Sequence, residues 1–226
     1  MLLPENKPTT FDKTPTKFFV WGASMTGKTY FARQFPNPIL LNTDGNAAKV
    51  DTPSVNITSF EQFIKILNEI EEGKHTFETV IIDLVDDIEL LMINSICEKF
   101  KVDSLADIPY GAGYAKANKL WKDLMMHLSK SKYNIIFISH IIEKLENDKT
   151  IQVPSLPAKS LNACLGRCDL QIQTLKLGNT YNKVITSKRD TYVPTDIKNP
   201  RTLEILKPII GLFIKPTTIQ NNINNK

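Results

Sequence analysis

The apolar run Phe18-Phe19-Val20-Trp21 leads directly into Gly22, Ala23, Ser24, Met25, Thr26, Gly27, Lys28 and Thr29, a segment that satisfies G-x-x-x-x-G-K-[ST] at each fixed position. A strand that enters such a loop and leaves it as a helix is compatible with few folds. The loop needs glycines where its backbone turns tightly, so that successive N–H groups point at phosphate oxygens with no Cβ in the way. Gly22 and Gly27 meet that need. Lys28 has the reach and charge for β- and γ-phosphates, the Thr29 hydroxyl can ligate Mg2+, and the backbone through Tyr30 completes the cradle. The positive end of the following helix adds to the attraction. The expected ligands are ATP and Mg2+.

Strand and helix patterns alternate after this point. A strand over 17–21, a helix over about 27–35 and a strand over 39–41 form one βαβ unit, with Pro36-Asn37-Pro38 stopping the helix. Residues 55–57 read as a short strand. Ser59 with Gln62 resembles a capping box opening a helix through about Glu72, on which Phe60, Phe63, Ile64, Leu67 and Ile70 recur at helical spacing. Val80-Ile81-Ile82-Asp83 and Asn134 to Ser139 read as strands buried on both faces. Helices are expected over 85–100 and 115–131, with a loop between them over 101–114. Beyond residue 140 a polar turn over 143–149 joins shorter strands, a short helix spans 158–166, and strands over 168–176 and 181–187 form an antiparallel extension. The fold class is α/β, a three-layer αβα arrangement on a mainly parallel sheet. The expected organisation is a flexible lead-in over 1–16, one domain over 17–210 and a mostly disordered tail over 211–226.

Carboxylates at strand ends supply the remaining chemistry. Asp83 ends a hydrophobic strand, where it can hold the water shell of Mg2+ beside Thr29, the Walker B role, or simply cap the next helix. Asp86, Asp87 and Glu89 lie in a first helical turn, where the helix dipole alone accounts for them. Asp44 ends the second strand, at the edge where open α/β sheets bind ligands. It is a candidate to orient and deprotonate water, although Asp44-Gly45 is equally a common turn pair. His140 follows the strand ending at Ser139 and is a candidate γ-phosphate sensor, or an ordinary solvent-facing strand-end histidine.

Composition narrows the class further. With 226 residues, 42% of them hydrophobic, the chain can fill one core. A formal charge of +4 permits nucleic-acid binding without arguing for it. Cys97, Cys164 and Cys168 are expected as buried free thiols rather than a disulfide framework or a zinc site. No apolar stretch has the length of a membrane span and no leader pattern opens the chain, so a soluble, cytoplasmic protein without membrane contact is expected.

The phosphate loop, Asp44, Asp83, Ser139-His140 and the late pair Lys188-Arg189 together resemble the RecA-like AAA families of phage nucleotide-binding proteins. More narrowly, they resemble Sak-type single-strand annealing proteins with a RecA-like core. The resemblance spans about residues 17–210. It implies ATP binding, weak or DNA-linked hydrolysis, binding of single-stranded DNA, and assembly of copies into a ring or filament. It also implies work beside a single-strand-binding protein in phage recombination, inside the bacterial host. Asp44 stands where the family usually carries Glu. Lys188 and Arg189 are placed to reach a neighbouring copy's γ-phosphate, or are a solvated basic turn. The loop with Tyr110, Tyr114 and Lys116 and the region with Lys144, Lys149 and Lys159 are candidate DNA-facing segments, or ordinary surface loops. Two other classes fit the same loop: a nucleotide-dependent switch or assembly factor, and a small-molecule kinase. A kinase usually needs arginines over the phosphates, and Arg33, Arg167, Arg189 and Arg201 are the only arginines here.

Overall fold

Phe18 and Val20 alternate with Phe19 and Trp21 along β1 (Lys17–Trp21), and the two sets enter different cores. That division sets the architecture. The computed structural model describes residues 12–45 and 51–213. In chain order β1 is followed by α1 (Lys28–Ala32), β2 (Pro38–Asn42), β3 (Ser54–Asn56), α2 (Phe60–Glu71), β4 (Thr79–Asp83) and α3 (Val85–Phe100). Next come α4 (Ala112–Lys130), β5 (Asn134–Ser139), β6 (Ile141–Glu146), β7 (Lys149–Pro154) and α5 (Ala158–Leu165). The chain continues with β8 (Leu170–Leu177), β9 (Thr180–Lys188) and α6 (Pro200–Leu206).

Among the described residues the main sheet has seven strands in the order β3-β2-β4-β5-β1-β8-β9. Every neighbouring pair is parallel except β8 with β9. This is the mainly parallel α/β sheet with an antiparallel extension that the sequence implies. One face carries Phe18, Val20, Leu40, Ile81 and Ile136 against α1 and α6; the other carries Phe19, Leu41, Ile82 and Phe137 against α2 to α5. Strands buried on both faces are therefore nearly continuous apolar runs. Each such fully buried side chain contributes about 1.5–3 kcal/mol by leaving water.

Register decides what meets at the carboxyl edge. Trp21 pairs with Ser139, Ile138 with Asp83, and Asp83 with Asn42. The residues that follow β1, β5 and β2 therefore emerge on one line with Asp83. β5 lies between the strand that feeds the phosphate loop and the strand that ends in Asp83.

Local differences from the sequence reading have identifiable causes. The helix expected over 27–35 is α-helical only over Lys28–Ala32, and Phe35 packs edge-on against Phe18 with ring centroids 4.9 Å apart. The expected loop 101–114 is instead two short 3-10 turns, Leu105–Asp107 and Pro109–Gly111, running into α4 at Ala112. Asp107 accepts from the Ser104 N–H at 2.9 Å, and Leu105 and Ile108 are buried, so this connection belongs to the core. At the start of α2, Ser59 Oγ accepts from the Gln62 N–H at 3.1 Å, but the Gln62 side chain takes the Thr58 N–H rather than closing a full box. β6 and β7 pair only with each other around Asn147-Asp148 and stand apart from the main sheet.

Of the lead-in expected over 1–16, residues 1–11 lie outside the described residues, while Thr14 Oγ1 donates to the Asp196 carbonyl and the Thr16 N–H to Asp169. The tail expected over 211–226 lies outside them from residue 214, and Leu212 before it is fully buried in the core with α6. Cys97, Cys164 and Cys168 are buried free thiols. Among the described residues no helix is long and apolar enough to cross a membrane.

Candidate functional site

Gly22 leaves β1 against Thr174 of β8, so closely that a Cβ at this position would stand 2.4 Å from Thr174 Oγ1 and 2.5 Å from its carbonyl oxygen. Thr174 Oγ1 in turn lies 2.7 Å from Thr26 Oγ1, which donates to the Ala23 carbonyl at 2.7 Å. The loop is thus strapped to β8 at its base. Gly27, at φ 86°, occupies the left-handed region and starts α1. Met25, at φ 62° and 85% exposed, forms the outer tip with Ser24 beside it.

Lys28 is buried, and its ammonium donates to the Gly22 carbonyl at 2.9 Å and the Ala23 carbonyl at 2.8 Å. It also lies 3.3 Å from His140 Nδ1. An ammonium has only donors, so Nδ1 accepts and the His140 proton sits on Nε2. Burial, then the Lys28 charge, hold His140 below its ordinary value, which keeps the ring neutral. Burial likewise lowers Lys28, with Asp83 and Asp86 opposing the shift.

Thr29 Oγ1 donates to Asp83 Oδ2 at 2.6 Å. Burial raises Asp83 from 3.8 to about 6, against the pull of that hydrogen bond. Asp44 adds to the rise, placing its charge near Asp83. Thr43, just before Asp44, donates to Asp87 at 2.6 Å and accepts from the Leu84 N–H at 2.9 Å, pinning the end of β2 to the end of β4. Lys28, Thr29, Asp44, Asp83 and His140 line one cleft of about 380 Å³, together with Ser24, Met25 and Tyr30.

The residues present fit a magnesium-bound nucleotide. Gly27, in the left-handed region, turns the loop into α1, Lys28 supplies a buried cation, and Thr29 with Asp83 offers two hard oxygen donors. Among the described residues no group of three or more His, Cys, Asp or Glu could hold a metal ion. Mg2+ takes one or two protein oxygens and completes its shell with phosphate and water.

Residues read from sequence as dipole partners have more specific contacts. Asp86 accepts the His140 backbone N–H at 3.0 Å, with the Ser139 hydroxyl also beside its buried carboxylate. Glu89 accepts from Ser160 Oγ of α5, whose carbonyl takes the Trp121 indole N–H at 3.0 Å. The two carboxylates, close to one turn apart on α3, thereby hold His140 ahead of β6 and the start of α5 after β7. Nothing in local sequence marks these partners, because Ser160 comes from an element distant in the chain. The spacing of Asp86 and Glu89 on one helical face was the available signal.

Other candidates stay apart from the cleft. Lys188 pairs with Leu170, at the end of the sheet opposite the phosphate loop, and its ammonium donates to the Gly211 and Leu212 carbonyls. Arg189 is held by Asp169 at 3.4 Å and donates to the Gly166 and Cys168 carbonyls. Tyr110 is fully exposed, Tyr114 is 54% exposed, and Lys116 lies 4.9 Å over the Phe100 ring. Lys144, Lys149 and Lys159 are exposed on β6, β7 and α5. The β6–β7 hairpin sets Glu143, Glu146 and Asp148 against only two lysines.

Comparison with known proteins adds a family and a relative. Residues 14–195 match a family described as an AAA domain. The SPbeta prophage-derived uncharacterized protein YorG of Bacillus subtilis (strain 168) is 24% identical over 131 residues, covering 55% of this chain and 40% of that protein. The chain therefore spans less than half the length of the curated relative it matches.

Proposed function

Because the chain belongs to the AAA domain family, we propose that it is a phage Mg-ATP-binding protein with slow hydrolysis that acts on single-stranded DNA in recombination or annealing. The observation that carries the nucleotide reading is the meeting of Lys28, Thr29, Asp83 and His140 in one cleft at the end of the phosphate-loop strand. Lys28 exchanges its loop carbonyls for β- and γ-phosphate oxygens, keeping its charge satisfied. Thr29 and Asp83 would hold Mg2+, which when bound would neutralise charge building on the phosphates. Asp44 orients the attacking water from across the cleft. Neutral His140 donates from Nε2 to the γ-phosphate and passes its position to the hairpin through its own backbone.

Similarity to a prophage-derived protein supports phage origin. The DNA reading is supported by the sequence resemblance and by Tyr110 and Tyr114, whose exposed rings are available for base stacking. A single-strand-binding protein and further copies of this chain are the partners that reading implies. A role for Lys188 or Arg189 on a neighbour's phosphates requires a ring or filament in which one copy's amino sheet edge faces the next copy's phosphate loop.

One observation favours a second reading, a nucleotide-dependent switch or assembly factor: the excess of acid on the β6–β7 hairpin suits a protein partner better than a nucleic acid. Binding of a labelled single-stranded oligonucleotide at low and moderate salt, with and without Mg-ATP, separates the two. Saturable binding that weakens with salt supports the DNA reading. No binding at low salt removes it and leaves the switch.

A further inference from the structure

Thr174 does not line the cleft around Lys28, yet its hydroxyl meets the phosphate loop from β8. The partner is Thr26, 148 residues earlier in the chain, and both side chains are buried with their Oγ1 atoms 2.7 Å apart. A hydroxyl carries one hydrogen. Thr26 gives its own to the Ala23 carbonyl at 2.7 Å, so Thr174 is the donor between them. The Trp21 carbonyl, 3.3 Å from Thr174 Oγ1, is the longer alternative. β8 lies beside β1 and pairs Ile172 with Val20 and Gln173 with Trp21, so Thr174 comes at the level where the loop begins.

What the pair holds in place is a backbone of alternating hand. Met25, at φ 62°, and Gly27, at φ 86°, are both left-handed, and Thr26 between them is not. Successive residues of opposite hand turn their N–H groups toward one point, the arrangement that receives an anion. Glycine enters the left-handed region freely, but a methionine there is strained and persists only where its surroundings fix it. The Met25 side chain is 85% exposed and supplies little of that restraint. Lys28 also donates to the Gly22 and Ala23 carbonyls, but its ammonium is the group that phosphate draws away. The Thr26 hydroxyl is left to hold the Ala23 carbonyl, and Thr174 fixes Thr26. This inference rests on the phosphate-loop reading. We propose that Thr174 is a positioning residue for the nucleotide: through Thr26 it keeps the phosphate loop in its binding shape before the ligand arrives, and so sets affinity for the phosphate chain without touching it.

The test is calorimetric titration of Mg-ATP, and of inorganic tripolyphosphate with Mg2+, into wild type, Thr174→Val, Thr174→Ser, Thr26→Val and the double Val variant, with a melting curve for each. Valine keeps the shape of threonine and removes the hydroxyl. Thr174→Val should weaken both ligands about tenfold and by the same factor, because the lost buried hydrogen bond acts on the phosphate loop alone. Thr174→Ser should bind both within about twofold of wild type, since it keeps the donor. Because Thr174 acts through Thr26, the double variant should bind within about twofold of Thr26→Val. Unchanged affinity in Thr174→Val, a loss that serine does not restore, or a loss that multiplies with that of Thr26→Val overturns the proposal while leaving the phosphate loop standing. Weaker Mg-ATP with tripolyphosphate unchanged also overturns it, since the effect then lies outside the phosphates. A Thr174→Val chain that does not fold overturns it as well, because the hydroxyl then carries stability rather than affinity. Wild type that binds neither ligand overturns the phosphate-loop reading and this inference with it.

Discussion

Thr29 Oγ1 and Asp83 Oδ2 lie 2.6 Å apart although 54 residues separate them in the chain. The hydroxyl begins a helix and the carboxylate ends a strand two positions away in the sheet. Their contact is the structural basis for reading one metal position from two distant sequence features.

The Asp83 charge makes that contact pH-sensitive. Burial moves the carboxyl from 3.8 to about 6, so between these values the folded chain binds a proton that the unfolded chain releases. Stability therefore falls as pH rises through that window, and the cost, on the order of 3 kcal/mol at most, persists above it. Asp83→Asn is expected to melt above wild type at pH 7.5, with the gap closing near pH 4. Mg2+ prefers the ionised carboxylate, so the gain in nucleotide affinity on adding Mg2+ should grow from pH 5 to 7 in wild type and be lost in Asp83→Asn. Melting curves and titrations across pH check both.

Gly22→Ala is expected to cost about 1–3 kcal/mol in stability and to abolish nucleotide binding. The new methyl meets the Thr174 carbonyl as well as its hydroxyl, so Thr174→Ala in the same chain should not restore either property. Denaturant titration of the single and double variants tests this.

Asp44→Ala should leave ATP affinity within about twofold and reduce turnover about a hundredfold, the lower range for a lost general base. Asp44→Glu, one methylene longer, should turn over at least as fast as wild type. A steady-state ATPase assay reads both, and unchanged turnover in the Ala variant assigns Asp44 to turn chemistry instead.

Tyr110→Ala with Tyr114→Ala should weaken oligonucleotide binding about tenfold without changing ATP affinity, because neither ring lines the cleft. Fluorescence anisotropy measures the effect. Reversing hairpin charge with Glu143→Lys should strengthen binding if the hairpin tracks the phosphate backbone, and leave it unchanged if only the tyrosine loop does.

The phosphate loop, Asp83 and the strands of the parallel sheet were legible because each is a local pattern: a glycine spacing, a strand-end acid, an apolar run. The meeting of Asp44, Asp83 and His140 followed from the rule that strand ends face the ligand crevice, and the register of β2, β4 and β5 supplies it. The contacts of Asp86 and Glu89 were not legible, since each depends on a partner from another element. The expected loop over 101–114 was misread because its proline and glycines suggested open chain, while Leu105 and Ile108 bury it. Lys188 and Arg189 were read as reaching a neighbouring copy's γ-phosphate or as a solvated basic turn; the antiparallel return of β9 carries them to the sheet end opposite the phosphate loop, where backbone carbonyls hold them.

The phosphate loop itself is tested most directly by titrating Mg-ATP into wild type and Lys28→Ala at pH 7.5, with circular dichroism to confirm equal folding. Saturable binding by wild type, weakened at least about thirtyfold in the variant, is the expected result, since a charge-assisted contact to phosphate is among the strongest available to a side chain. Equal affinity in the two proteins, or no binding by a folded wild type, contradicts the assignment of this loop as the nucleotide site.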